Sequence, residues 1–268
     1  MQRELYGAAA AKENFFVSIA GGARHNRGVI GAYLNALGIL LGALFGLVRR
    51  RPLALRTQKF LQSALGAFVV FYGLRLVWEN LGGALAAGLK QLLIAALAIL
   101  LGHLLGRILG LQKMSNRLGR QASGRIAAAQ QSPPGPSVPG LLAISVLFCA
   151  APLGIVGAVT DGLGGYFFPL ALKAVMDGLA MTSFVKLFRW PVALAAGPVF
   201  LFLDGLTRAA QAGARLWLVS PALVPSVNII AGLVLCAMAL VILGLRRVEL
   251  ANYLPALAVA PLLTWLFA

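Results

Sequence analysis

Apolar residues dominate eight stretches of this chain, separated by short polar or basic ones. The first, near 28–48, reads GVIGAYLNALGILLGALFGLV. The others fall near 60–78, 89–111, 139–158, 166–187, 190–206, 222–245 and 251–268. Most approach or exceed the ~20 residues that carry a helix across a ~30 Å hydrocarbon core. The pattern predicts an all-α polytopic membrane protein of about eight (seven to eight) transmembrane helices. One region resists it: between Phe148 and Arg189 the apolar run is interrupted by Pro152, Gly154, Gly157 and the Gly162–Gly165 cluster. Proline removes a helical hydrogen bond, and glycine tolerates the resulting turn. A broken or re-entrant segment is therefore expected near 149–165.

Small residues recur at helical spacing. Gly31, Asn35, Gly38, Gly42 and Gly46 share one face of the first segment, and Gly102, Gly106 and Gly110 form a ridge on the third. Such ridges let another backbone approach closely. Asn35 on that face points into the bundle, either to hold two helices together or to line a site.

The chain divides into an N-terminal extension (1–27), a first membrane half of three helices (28–111), a basic, proline-rich cytoplasmic linker (112–138) and a second half of about five helices (139–268). Residues 1–27 are too polar for a signal peptide and read as a tail or as sequence upstream of the real start. The second and seventh segments echo one another, each placing Gly-Leu and Arg after an apolar run. Five segments apart, such an echo would be inverted in the membrane, as in many secondary transporters.

Charge sharpens this picture. The 268 residues are 60% hydrophobic and 11% charged, with 23 Lys and Arg against seven Asp and Glu. On a soluble chain a net charge of +16 would suggest nucleic acid. Here the cations sit in short loops: Arg49–Lys59, Lys113–Arg125, Lys186 with Arg189, and Arg246-Arg247, following the first, third, fifth and seventh segments. Loops after the second and fourth hold Glu79 and Asp161, and only the loop with Arg208 and Arg215 departs from the alternation. The positive-inside rule then puts those basic loops in the cytoplasm and, with eight spans, both termini outside. Nucleic acid is set aside as a partner.

Cys149 and Cys236 both lie in apolar segments and offer neither a disulfide framework nor metal spacing. His25 and His103 are too far apart to make a metal set. His-Glu-x-x-His, Gly-x-Ser-x-Gly and Walker loops are absent, so neither an enzyme, nor a cofactor, nor ATP-driven work is expected.

Candidate chemistry lies in the acids. Three of the seven, Asp161, Asp177 and Asp204, open an Asp-Gly-Leu tripeptide. An ionisable residue at membrane depth costs about 2.5–3.5 kcal/mol on insertion scales and so marks a candidate site. Lys173 and Asp177 stand i, i+4 on the fifth segment, close enough to neutralise each other. They read either as a packing ion pair or as a cation- or proton-binding acid with its counter-charge. Asp161 is either a turn or an ion ligand at a helix break, and Asp204 a turn or cavity residue.

These pieces, in this order, resemble the YqgA-like family of bacterial inner-membrane proteins, a family of unknown function. The resemblance rests on GVIGAYLNALGI at Gly28, on Leu147-Phe-Cys, on Ile155-Val-Gly with Asp161-Gly-Leu, on Lys173 with Asp177-Gly, and on Ala251-Asn-Tyr-Leu-Pro-Ala-Leu. Residues 1–27 extend past the usual start of such proteins, and Asp204 stands where a neutral residue such as Gln is expected. The resemblance implies a multi-pass protein of the bacterial inner membrane and no established activity.

Two functions fit. One is a secondary transporter or permease, ion-coupled or passive, whose small polar or ionic solute binds at Asn35, Asp161, Lys173, Asp177 and Asp204. The other is a membrane scaffold or regulatory subunit using its glycine ridges to hold a partner. The bilayer is a partner in both, and a homo-oligomer stays open.

Overall fold

Helix supplies the regular structure, and no strand occurs among the described residues. The computed structural model describes residues 30–49, 54–83, 85–130, 138–217 and 223–267. The extension 1–27, Arg50, Arg51 and the run 131–137, which holds most of the linker prolines, lie outside the described residues. The helices are α1 (Ile30–Val48), α2 (Leu55–Asn80), α3 (Leu85–Ile108), α4 (Leu111–Gln130), α5 (Val138–Cys149), α6 (Pro152–Gly164), α7 (Phe168–Phe188), α8 (Ala196–Trp217), α9 (Val224–Ile242) and α10 (Ala256–Leu266). A 3-10 turn, Trp190–Ala195, leads into α8, and another, Leu250–Tyr253, precedes α10.

Among the described residues six helices are long and apolar enough to cross a membrane: α1, α2, α3, α7, α8 with its leading turn, and α9. Helices α5 and α6 make a seventh span if taken together, bent by 57° where the chain breaks. Pro152 causes the break: it takes the first position of α6, where its missing N–H costs nothing, and cannot extend α5. The anticipated broken segment is thus present. The expected eighth segment is shorter than a span, because α10 has 11 residues and rises only about 16 Å.

The stretch 112–138 also differs from a simple linker. Its prolines begin at Pro133, so nothing upstream interrupts a helix, and α4 occupies most of the stretch. Ala122 is buried against the bundle, whereas Lys113, Arg117, Arg120 and Arg125 are exposed. Gln112 ties α4 to the turn before α10: its N–H donates to Asn252 Oδ1, and its Oε1 accepts from the Ala251 N–H, both at 3.1 Å. The basic residues after α3 and after α9 therefore share one end of the molecule.

Packing crosses the two sequence halves. Helix α1 lies along α7, α2 along α9, and α3 along α10. Val69, Leu76, Ala98, Ile230, Leu235 and Ala256 belong to one buried core. Ile39, Ile144, Leu170, Met181, Val199 and Leu203 belong to the other. Helix α6 stands between them, giving Val156 to the first and Ala158 to the second.

The glycine ridges are consumed inside the chain except at Gly110, which lies past the end of α3 and where an added Cβ would have nothing within 4 Å. A Cβ on Gly38 would lie 2.5 Å from the Ala174 carbonyl oxygen, and one on Gly178 2.6 Å from that of Gly38. Gly73 and Gly232 meet as reciprocally: a Cβ on either would lie 2.9 or 2.5 Å from the other's carbonyl oxygen. Helices α2 and α9, whose sequences echo one another, are thus in backbone contact. On the third segment, a Cβ on Gly102 would meet Ala256 at 2.5 Å.

Candidate functional site

Because α1 and α7 touch backbone to backbone, polar side chains on their facing sides are forced together. Asn35, one turn before the close approach, is fully buried and donates through Nδ2 to Asp177 Oδ2 at 3.0 Å. Lys173, one turn before Asp177 on α7, is 1% exposed, and its Nζ donates to the same carboxylate oxygen. Three of the five residues singled out in the sequence thus form one network. Its ionic members cancel, which lowers the cost of burying either.

Helices α5 and α6 complete its surroundings. The Lys173 ammonium sits 5.5 Å from the centroid of Phe148, a desolvated cation–π contact worth about 2 kcal/mol. Phe148 belongs to the last turn of α5, at the bend. Gly154, in the first turn of α6, leaves room for the lysine: a Cβ there would lie 2.8 Å from Lys173 Cε. Neither contact shows in helical spacing, because each residue is brought in by the bend rather than by the helix that carries Lys173.

Asp161 lies at a second position on α1. It is fully buried in the last turn of α6, and its Oδ2 accepts the Gly31 N–H at 3.0 Å. The first N–H groups of a helix have no partner within it, and they favour negative charge. Asp161 therefore caps α1 from a distant part of the chain. Gly31 permits this, because a Cβ there would lie 2.7 Å from that oxygen. The remaining oxygen, Asp161 Oδ1, has no hydrogen-bond partner among the described residues. Past Asp161, Gly165 adopts φ 69° and closes α6 by donating to the Asp161 carbonyl at 2.8 Å.

Asp204 stands apart from both positions. It is bound by Arg208 on the next turn of α8, at 2.9 and 3.0 Å, and Arg208 is largely exposed. Two neutral polar residues inside the bundle, Thr182 and Asn228, are engaged elsewhere. Thr182 donates to the Leu179 carbonyl of its own helix at 2.7 Å, and Asn228 joins α9 to α2 through Asn80 Oδ1 at 3.0 Å. His103 rests against the Tyr253 ring, with centroids 4.7 Å apart.

A cleft of about 270 Å³ runs between α2, α7 and the end of α9. Gln62, Thr182 and Ser183 give it polar lining. Met176 and Ala180, apolar neighbours of Asp177 within one turn of α7, line it as well. Among the described residues no group of three His, Cys, Asp or Glu side chains could hold a metal ion.

The chain is similar to two curated bacterial proteins along most of its length. It is 30% identical over 233 residues to the uncharacterized protein YqgA of Escherichia coli (strain K12), an alignment covering 87% of this chain and 94% of that one. It is 24% identical over 240 residues to the uncharacterized membrane protein YdfK of Bacillus subtilis (strain 168), with the same coverage. No solved structure matches it. The model of DUF554, a family of proteins of unknown function, matches residues 30–265, the whole helical bundle. The chain is therefore a multi-span membrane protein belonging to the DUF554 family.

Proposed function

We propose that this protein is a secondary transporter or permease of the bacterial inner (plasma) membrane, moving a small polar or ionic solute through a site built on Asn35, Lys173 and Asp177. The observation that carries the reading is the buried Asn35–Asp177–Lys173 network beside the α5–α6 break. Its ammonium and carboxylate balance only while both are charged and together. A proton or cation on Asp177, or an anionic solute on Lys173, upsets that balance and gives solute binding a reason to move helices.

The surroundings support it. Broken helices are tolerated at membrane depth where they line a cavity, and their free backbone groups can serve as ligands. The cleft beside Met176 and Ala180 runs along α7 next to the helix turn that carries Asp177, although none of Asn35, Lys173 and Asp177 lines it. The basic end shared by α4 and the turn before α10 is the cytoplasmic one under the positive-inside rule. No nucleotide-binding motif is present in the sequence, so transport is driven by an ion gradient or is passive, and no catalysis is assigned. A scaffold would use the ridges of α1 and α3 as partner surfaces, but α7, α10 and the turn before α10 already fill them.

The test is charge movement on a solid-supported membrane. Proteoliposomes of wild type and Asp177→Asn are challenged with ions, amino acids and organic acids, and isotope flux is run in parallel to detect electroneutral exchange. Currents or flux present in wild type and lost in the variant support the proposal. Flux no faster than in protein-free liposomes for every solute overturns it.

A further inference from the structure

Buried polar atoms left without a partner tell what a site is missing. Among the described residues the orphaned buried side-chain atoms are Asn35 Oδ1, Asp161 Oδ1, Thr207 Oγ1, Gln91 Oε1 and Asn228 Oδ1. All are oxygens and none is a nitrogen. Four of the five are amide or carboxylate oxygens, which only accept, and the fifth is a hydroxyl that can also donate, so the unmet capacity favours something positive. One of the five belongs to α8, and two lie on or against the first turns of α1. Asp161 caps it, Asn35 follows Gly31 by one turn, and Thr207 crosses α6 at Gly162, where a Cβ would lie 2.5 Å from its carbonyl oxygen.

The charge at Asp161 has no protein counter-ion among the described residues. Lys173 is bound to Asp177 and Arg208 to Asp204, while α1 carries no charged residue. Asp161 also sits in the last turn of α6, where the helix dipole is negative and disfavours an acid. The start of α1 offsets this in part, through the Gly31 N–H and the positive end of its dipole, but supplies no full counter-charge for a fully buried carboxylate. A single carboxylate with neutral oxygens suits one positive charge rather than two.

We propose that Asp161 Oδ1 is the binding point for a monovalent cation, either a proton or Na⁺, and that this cation is the coupling ion of the transporter. Its role as coupling ion rests on the transport reading above; its binding does not.

The test uses the full-length protein in detergent. If Na⁺ is the occupant, the melting temperature rises with NaCl over equimolar choline chloride, and the shift is lost in Asp161→Asn but kept in Asp204→Asn. If a proton is the occupant, infrared difference spectra show a carboxylic C=O stretch that titrates in wild type and is missing in Asp161→Asn. If that variant does not fold, Gly31→Ala replaces it, since the new Cβ crowds the carboxylate and should weaken either response. Neither response in wild type overturns the proposal, as does a response that survives in Asp161→Asn. Binding without flux of any solute removes the transport reading and leaves the cation site. Flux that needs Asp177 but ignores Na⁺, pH and Asp161→Asn removes the coupling role and leaves the transport reading.

Discussion

Asn35 and Asp177 are 142 positions apart in the chain, yet the amide of one donates to the carboxylate of the other at 3.0 Å. The bond exists because Gly38 and Gly178 bring α1 and α7 into backbone contact one turn away. It joins a neutral donor to an ion pair already complete within α7, so the asparagine is the link between that pair and the rest of the bundle.

Removing one member of the ion pair separates structure from function. Lys173→Met leaves Asp177 buried without its counter-charge and should cost about 3–5 kcal/mol. The double variant Lys173→Met/Asp177→Leu removes both charges and should recover most of that loss. Melting temperatures of wild type, the two single variants and the double variant in detergent give the cycle. If the pair only fixes packing, the double variant also keeps its flux; the transport site proposed above requires a folded double variant with none.

The close approach of α1 and α7 makes a second prediction. A Cβ on Gly42 would fall well inside van der Waals contact distance of the Gly178 carbonyl, so Gly42→Ala should destabilise by about 1–3 kcal/mol. At Gly205, exposed within α8, an added methyl group would have nothing within 4 Å, so Gly205→Ala should be neutral or stabilising by up to about 1 kcal/mol. Opposite shifts in melting temperature are expected. A loss as large at Gly205 as at Gly42 would show that interhelical contact does not govern the difference between them.

Asp204 supplies a control among the acids. Its partner Arg208 stands on the next turn of α8 and is not covered by other helices, so the pair is complete within α8. Asp204→Asn should leave flux unchanged, whereas Asp177→Asn should abolish it. Loss of flux in both would put the α8 acid back in the site.

The three Asp-Gly-Leu acids show how far periodicity reaches. Lys173 and Asp177 are one turn apart on a single helix, so their pairing is legible from spacing, and Asn35 is legible as an inward-facing residue on a glycine ridge. What spacing does not carry is the partner across an interface. Nothing local says that Asp161 caps α1 rather than turning at a surface, whereas the pairing of Asp204 with Arg208, also i, i+4, is legible from spacing. The same limit applies to α4 and α10. Hydropathy reads the first as a linker because its apolar face is only one stripe, and it reads the second as a span although a 3-10 turn and Pro255 delay the helix until Ala256.

Gly154 offers the sharpest separation of fold from activity. A methyl group there meets Lys173 Cε at 2.8 Å and Leu203 Cδ2 at 3.2 Å, side-chain atoms rather than backbone. The long lysine can give way, so Gly154→Ala should fold, with a melting temperature near wild type. In giving way, the ammonium leaves the position where it neutralises Asp177. A displacement that raises the barrier of the rate-limiting step by about 1.4 kcal/mol would lower turnover roughly tenfold. The expected result is a folded protein with turnover reduced on that scale, measured as initial flux at saturating solute. Unchanged turnover in a folded variant would mean that Lys173 can shift without consequence, and the ion pair would then be a packing element. Gly154→Ser, whose hydroxyl can accept a hydrogen bond from the displaced ammonium, should fall between the two.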